Sequence, residues 1–252
     1  EDHDQSRARK EYIDSIPEDL ERFGFKFESV SLQSKRQALY EKYVQFLFSK
    51  QKLYPCSCSR KKLFEENPIN ADGEVIYSGH CLKNPINKNS DFALRFKTPD
   101  KTITWEDLLL GKFEENPKNQ CGDFTIKDRI SQWTYQFAVC VDDLEENIGL
   151  VVRGEDLRNS TARQIALLEA LGKKTPPLYL HHPLLTEKSG EKLSKRQHSK
   201  SLRAELEQGL SIEDLLGLVC YEAHSIPKKA PLTLNEAIYS IQKTYFSCFL
   251  KK

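Results

Sequence analysis

Cys56, Cys58 and Cys81 fall close together in the chain, whereas Cys121, Cys140, Cys220 and Cys248 are scattered. Two thiolates one residue apart can face a single ion, and a third from further along can close a loop around it. Such a set needs one oxygen or nitrogen ligand to complete a tetrahedron. Tyr77, four positions before Cys81, and His80, adjacent to it, both qualify, so the fourth ligand is open between them. A second chemical signal is Lys192-Leu193-Ser194-Lys195-Arg196, two lysines bracketing a serine just after Ser189-Gly190. A mobile cationic loop of this kind suits a polyphosphate, because ammonium groups can follow charge developing on departing oxygens. A solvated lysine-rich turn would read the same way.

A third signal is Val151-Val152-Arg153-Gly154-Glu155-Asp156-Leu157, an arginine directly after an apolar run. In an open α/β sheet, ligands bind at the carboxyl ends of strands. A guanidinium there offers a planar fork to a carboxylate. The competing reading is a structural arginine paired with Glu155 or Asp156. Tyr135, in Trp133-Thr134-Tyr135-Gln136-Phe137-Ala138, is more ordinarily a core residue, and only the company of Arg153 makes it a pocket candidate. His181-His182-Pro183 stands ahead of the lysine loop, and a structural histidine at a strand end is its default reading.

The elements that must position these groups follow from periodicity. Ile13, Ile16, Leu20 and Phe23 recur at helical spacing, with Gly24 as a stop and Pro17 as a kink or a first turn. A second helix is expected over about 34–51, burying Leu39, Tyr43, Phe46 and Leu47, followed by a short strand into the cysteine knuckle. Residues 61–90 read as turns and loop. Alternation at 92–96, 102–105 and 123–126 predicts a small antiparallel region. Residues 133–143 are helical in pattern, and 148–152 read as a strand covered on both faces. Ser160 caps a helix to Leu171, a strand follows at 178–182, and the remainder from Leu202 is helical. Strand–helix alternation interrupted by a β-rich insert predicts an α/β domain split by an insertion.

Composition sets the outer bounds. Hydrophobic residues are 38% and charged residues 30% of the chain, so it can build a core and is not a disordered tail. The net charge of +1 means that any RNA contact rests on local patches. The apolar runs are too short to span a bilayer. An odd, uneven set of seven cysteines argues for a reducing compartment, hence the cytoplasm. The chain opens on Glu1 and has no Met, so its natural start is expected to lie upstream.

Several stretches, in order, resemble the glutamyl-tRNA synthetase group of class I synthetases. They are Glu1-Asp2-His3-Asp4 with Arg7, Cys56-Ser57-Cys58 through Tyr77 to Cys81, Gly122-Asp123-Phe124, Tyr135 to Asp143, Val152 to Leu157 with Arg163-Gln164, and Lys192-Leu193-Ser194-Lys195. The likeness is nearest to the short stand-alone branch of that group, which glutamylates the queuosine base of tRNA(Asp), and it thins after about Leu218.

The resemblance implies a Rossmann-type catalytic domain at 1–53 and 121–204, a zinc-bearing acceptor-stem-binding insertion at 54–120, and a small helical part at 205–252. It implies activation of L-glutamate with ATP, Mg2+ accompanying the nucleotide, and transfer of the glutamyl group to tRNA by a monomer with no membrane partner. Carried over by position, Glu1 would hold the amino group of glutamate, and Tyr135 and Arg153 would line its pocket. Lys192, Leu193, Ser194 and Lys195 would form the ATP loop, with Lys195 as its catalytic lysine; Cys56, Cys58, Tyr77 and Cys81 would bind zinc. The family's first strand and its histidine-glycine-histidine ATP motif would precede Glu1.

Chain length favours the short branch, because roughly fifty-five residues beyond the ATP loop are too few for a large anticodon-binding domain. A catalytic fragment of an ordinary glutamyl-tRNA synthetase is the alternative. A non-catalytic RNA-binding module is a third reading, resting on Arg60, Lys61 and Lys62 and on Lys195, Arg196, Lys200 and Arg203 as phosphate contacts. All readings that include catalysis need Arg153 and the loop near Lys195 to converge on one cleft.

Overall fold

The computed structural model describes residues 2–3, 8–86, 91–184 and 202–246. The elements in order are α1 (Lys10–Arg22), α2 (Gln37–Ser49), β1 (Leu53–Cys56), α3 (Arg60–Glu66), α4 (His80–Lys83), β2 (Ala93–Phe96), β3 (Ile103–Asp107) and β4 (Gly111–Glu115). They continue as α5 (Pro117–Cys121), β5 (Thr125–Lys127), α6 (Tyr135–Glu145), β6 (Leu150–Gly154), α7 (Thr161–Ala170), β7 (Leu178–His182), α8 (Leu202–Glu207), α9 (Ile212–Glu222) and α10 (Leu234–Tyr245). Two compact units result. One comprises Glu1–Ile13, Glu28–Val151 and Arg158–Tyr179, the other Asp14–Phe27, Val152–Leu157 and Leu180–Lys252.

In the first unit β1, β2 and β5 form an antiparallel sheet in that order, with Leu53 opposite Phe96 and Cys56 opposite Ala93. A four-stranded sheet has the order β4-β3-β7-β6; β3 and β4 are antiparallel, and β3 runs parallel to β7. Alternation explains β3, whose Ile103, Trp105 and Asp107 face inward while Thr104 and Glu106 are exposed. Trp105 stacks on Phe113 at 4.6 Å and meets Tyr179 edge-on at 5.7 Å, which ties β4 and β7 to β3. Tyr40, Trp133 and Phe137 pack as an aromatic trio, with centroids 5.2–6.0 Å apart, that joins α2 to α6. Such pairs add about 0.5–1.5 kcal/mol each beyond area burial. Helix α7 is buried continuously from Thr161 to Leu168.

In the second unit α9 and α10 begin with reciprocal capping boxes, Ser211 with Asp214 and Thr233 with Glu236. Hydrogen bonds from those caps hold both carboxyls below their ordinary pKa. Arg203 of α8 donates to Asp19 at 2.6 Å and to Glu18 at 3.2 Å. Gly24 ends α1 with φ of 91°.

The structure departs from the sequence reading in several places. Helix α1 runs through Pro17 without a break, and no residue in it is buried; Ile16 is 58% exposed. The α2 stripe is rotated by one position, burying Tyr40, Val44 and Leu47 and leaving Phe46 at the surface. Tyr40 wins the inward place because its hydroxyl finds Asp142 at 3.0 Å while its ring joins the aromatic trio. The stretch 61–90 holds the short helices α3 and α4 rather than loop alone. Strand β6 is only half-buried, with Val152 54% exposed, so it is not covered on both faces. Ser160 makes no capping hydrogen bond, because a turn of 3-10 helix at Glu155–Ser160 leads into α7 and its hydroxyl accepts from Gln136 instead. No helix among the described residues is long and apolar enough to cross a membrane.

Candidate functional site

The thiols of Cys56, Cys58 and Cys81 are buried, and all three sulfur atoms lie within 4.8 Å of one another. Cys56 closes β1, Cys58 sits one residue before Ser59, the N-cap of α3, and Cys81 is the second residue of α4. Cys58 and Cys81 Sγ are 3.5 Å apart. The Tyr77 hydroxyl is 3.4 Å from Cys56 Sγ and 3.6 Å from Cys58 Sγ, and it accepts the Cys81 amide N–H at 2.9 Å. Around a tetrahedral zinc ion, neighbouring sulfurs stand about 3.7 Å apart and sulfur and oxygen about 3.5 Å, so this donor set fits one such ion. His80 Nε2 instead meets Lys62 Nζ at 3.1 Å, and His80 is not part of the cluster. Geometry thus favours Tyr77 over His80 as the fourth donor. Burial raises the Cys58 thiol to about 11. Burial also pushes Cys81 up, but hydrogen bonds from Tyr77 and the Ser57 backbone outweigh it and bring the thiol down to about 7.

Tyr77 is held from three sides. Its backbone pairs with Gly122 in a parallel bridge, and its amide donates to the Cys121 carbonyl at 3.1 Å. Gly122 adopts φ 63°, ψ −148°, and a Cβ there would stand 2.1 Å from the Tyr77 carbonyl oxygen, so only glycine permits this approach. The guanidinium of Arg95 lies over the Tyr77 ring, 3.8 Å from its centroid. Behind it Asp123, fully buried, accepts from the Tyr54 hydroxyl at 2.7 Å and the Thr98 amide at 3.0 Å, and is ion-paired with Lys118. Burial and that carboxylate push the Tyr54 phenol well above its ordinary range. A further clamp comes from Arg163 of α7, buried and ion-paired with Glu74 in the loop before Tyr77.

Arg153 lies near the carboxyl end of β6 and is half-buried. Its Nε donates to Nε2 of His181, a fully buried residue of β7, at 3.0 Å. The imidazole nitrogen must be unprotonated to accept, so His181 fixes the guanidinium plane in its neutral form. Tyr135 is the first residue of α6 and is half-buried. At the start of the chain, Asp2 accepts from the Ser34 amide at 3.0 Å and from its hydroxyl, and His3 meets Gln33 at 2.7 Å. Gln33 donates on to Asp142, which also receives Tyr40 and Arg36.

Glu1, Lys192, Leu193, Ser194 and Lys195 lie outside the described residues, and so does the convergence of the lysine loop with Arg153. Sequence reasoning overlooked Arg95 and Asp123 as supports of the cysteine cluster. The available signal was a lone arginine inside the otherwise apolar Ala93-Leu94-Arg95-Phe96, a position that buries charge only for a reason.

Residues 1–227 match the family of class I tRNA synthetase (E and Q) catalytic domains. A glutamyl-Q tRNA(Asp) synthetase of Neisseria meningitidis serogroup C is 38% identical over 206 residues, covering 80% of this chain and 69% of that protein. A glutamate–tRNA ligase of Aquifex aeolicus is 34% identical over 239 residues, covering 91% of this chain and 50% of that one. The crystal structure of a glutamate-tRNA synthetase from Elizabethkingia anophelis superposes with a TM-score of 0.72 at 23% identity, covering 96% of this chain; the chain spans 62% of its length. That likeness gives the fold, a mixed α/β domain. The resemblance read from the motifs is therefore borne out, and the chain belongs to the class I synthetase family of glutamyl and glutaminyl catalytic domains.

Proposed function

We propose that the protein activates L-glutamate with ATP and transfers the glutamyl group to the queuosine base of tRNA(Asp). The observation that carries the amino-acid half is Arg153, held at the end of β6 by a buried imidazole. A guanidinium at this place offers charge-assisted hydrogen bonds to a carboxylate and selects glutamate over glutamine by charge. By the family resemblance Tyr135 would contact glutamate and Glu1 would take its ammonium group. Adenylation needs no general base, since the substrate carboxylate is already the nucleophile. Its oxygen bonds to the α-phosphorus of ATP as the bond to pyrophosphate breaks. Lys192-Leu193-Ser194-Lys195, with Mg2+ accompanying ATP, neutralises the departing charge.

Cys56, Cys58, Tyr77 and Cys81 hold one structural zinc ion, which when bound supplies folding energy to the insertion at 54–120. This chain's own residues set up that site: Gly122 admits the Tyr77 backbone, and α3 and α4 present Cys58 and Cys81. The catalytic halves are 1–53 and 121–204, and the helical part is 205–252. The acceptor assignment draws on the name carried by the Neisseria relative. The Aquifex relative supports the other reading, ordinary glutamylation of tRNA(Glu).

Labelled glutamate offered to the full-length protein with ATP tests this. Label should appear on tRNA(Asp) bearing queuosine, and neither on the unmodified transcript nor on tRNA(Glu). Label on tRNA(Glu) alone would replace the proposed acceptor.

A further inference from the structure

Arg95, in the middle of β2, is 6% exposed. An arginine does not lose its charge inside a protein, and burying a cation with no anion beside it is strongly unfavourable. Yet among the described residues Arg95 forms no salt bridge. Nη1 donates to the Asp123 carbonyl at 2.7 Å, Nε is buried without a hydrogen-bond partner, and the guanidinium face rests 3.8 Å from the Tyr77 ring centroid. The Asp123 carboxylate is not its partner in an ion pair, being taken by Lys118, Tyr54 and Thr98. The hydroxyl at the end of that ring lies 3.4 Å from Cys56 Sγ and 3.6 Å from Cys58 Sγ, and Cys81 Sγ stands 3.5 Å from the latter.

We propose that Arg95 is the counter-cation of the metal–thiolate centre and the residue that positions Tyr77 within it. The inference rests on the reading of these four side chains as a zinc site. A divalent ion held by three thiolates carries one net negative charge, and a single guanidinium stacked on the tyrosine of the same donor set balances it. The planar cation also stacks on the phenol ring, fixing the direction of its hydroxyl toward Cys56 and Cys58. Lysine could supply the charge but not the stacked plane. The missing ion pair, an odd feature of β2 taken alone, is explained by an anion present only when the site is loaded.

The test is competition for Zn2+ between the full-length protein and a chromophoric chelator, with Co2+ loading followed by its thiolate absorption band. Outer-shell substitutions typically weaken metal binding about 10–100-fold, and Arg95→Met should fall in that range. Arg95→Lys should lie between Arg95→Met and the parent. With metal removed, Arg95→Met should melt no lower than the parent protein, because its counter-ion is then gone from both. Metal affinity within twofold of the parent in a folded Arg95→Met protein would overturn the proposal, as would equal affinities for Lys and Met. If Arg95→Met does not fold, Arg95→Lys against Arg95→Gln makes the same comparison, and equal affinities again overturn it. A parent protein that binds neither Zn2+ nor Co2+ would instead defeat the zinc reading itself.

Discussion

Replacing Gly122 by alanine should damage the cysteine site from a residue that offers it no ligand. Gly122 sits at φ 63°, ψ −148°, a region almost reserved for glycine, where a side chain is strained by about 1–3 kcal/mol. The new Cβ would also lie 2.1 Å from the Tyr77 carbonyl oxygen and 2.7 Å from its nitrogen. Ordinary contact needs about 3.4 Å or more, so the Tyr77 backbone must retreat by about 1 Å. That retreat loosens the Tyr77 N–H to Cys121 bond, now 3.1 Å, worth about 1 kcal/mol. The sum is a loss of about 2–4 kcal/mol, or a melting temperature lower by roughly 5–15 °C for a chain of this size. Because Tyr77 carries the hydroxyl that completes the donor set, zinc affinity measured by chelator competition should fall as well. The reasoning is refuted by a Gly122→Ala protein that melts and binds zinc as the parent does.

Removing the acceptor beside Arg153 should act on glutamate alone: His181→Leu loses a hydrogen bond to a charged group worth about 1.5–3 kcal/mol. It should raise KM for glutamate roughly 10–100-fold with KM for ATP unchanged, and His181→Gln should recover much of it; equal effects on both substrates would mean general misfolding. Glu74→Ala leaves the buried Arg163 without its anion and should cost about 2 kcal/mol, discounted because Glu74 is half exposed, whereas Arg163→Met should cost less. Denaturant melts giving the reverse order would contradict that pairing. Burial raises the Asp2 carboxyl, but hydrogen bonds from Ser34 more than offset it, leaving the pKa below its ordinary value. A depressed acid stabilises the fold at pH above its unfolded pKa and loses that contribution as pH falls through the folded one. Exchange of the Ser34 amide should therefore quicken below about pH 4, and the Asp2→Asn protein should show no such step.

What the sequence made legible follows a physical division. Periodic elements with caps or stops were readable: α1 up to Gly24, α6, α7, and β7 after Pro176-Pro177. The cysteine cluster was readable because metal-ligand chemistry restricts residue types and spacing. The α2 stripe was misjudged by one position because apolar and aromatic residues stand on more than one face of the helix. Only the tertiary partners, Asp142 for the hydroxyl and Trp133 with Phe137 for the ring, decide which turns inward. Helices α3 and α4 are too short for a period to show, and their local anchors, Ser59 and Gly79, look like loop residues in a polar stretch. The His181–Arg153 bond joins residues far apart in sequence through neighbouring strands, so no local pattern announces it.

The most direct test of the central claim is glutamate-dependent exchange of labelled pyrophosphate into ATP by the full-length protein with no tRNA present. Exchange that requires L-glutamate, ignores L-glutamine, and is abolished by Arg153→Gln is the result expected. Exchange that begins only when tRNA(Glu) is added, or that survives loss of the Arg153 guanidinium, would contradict the account.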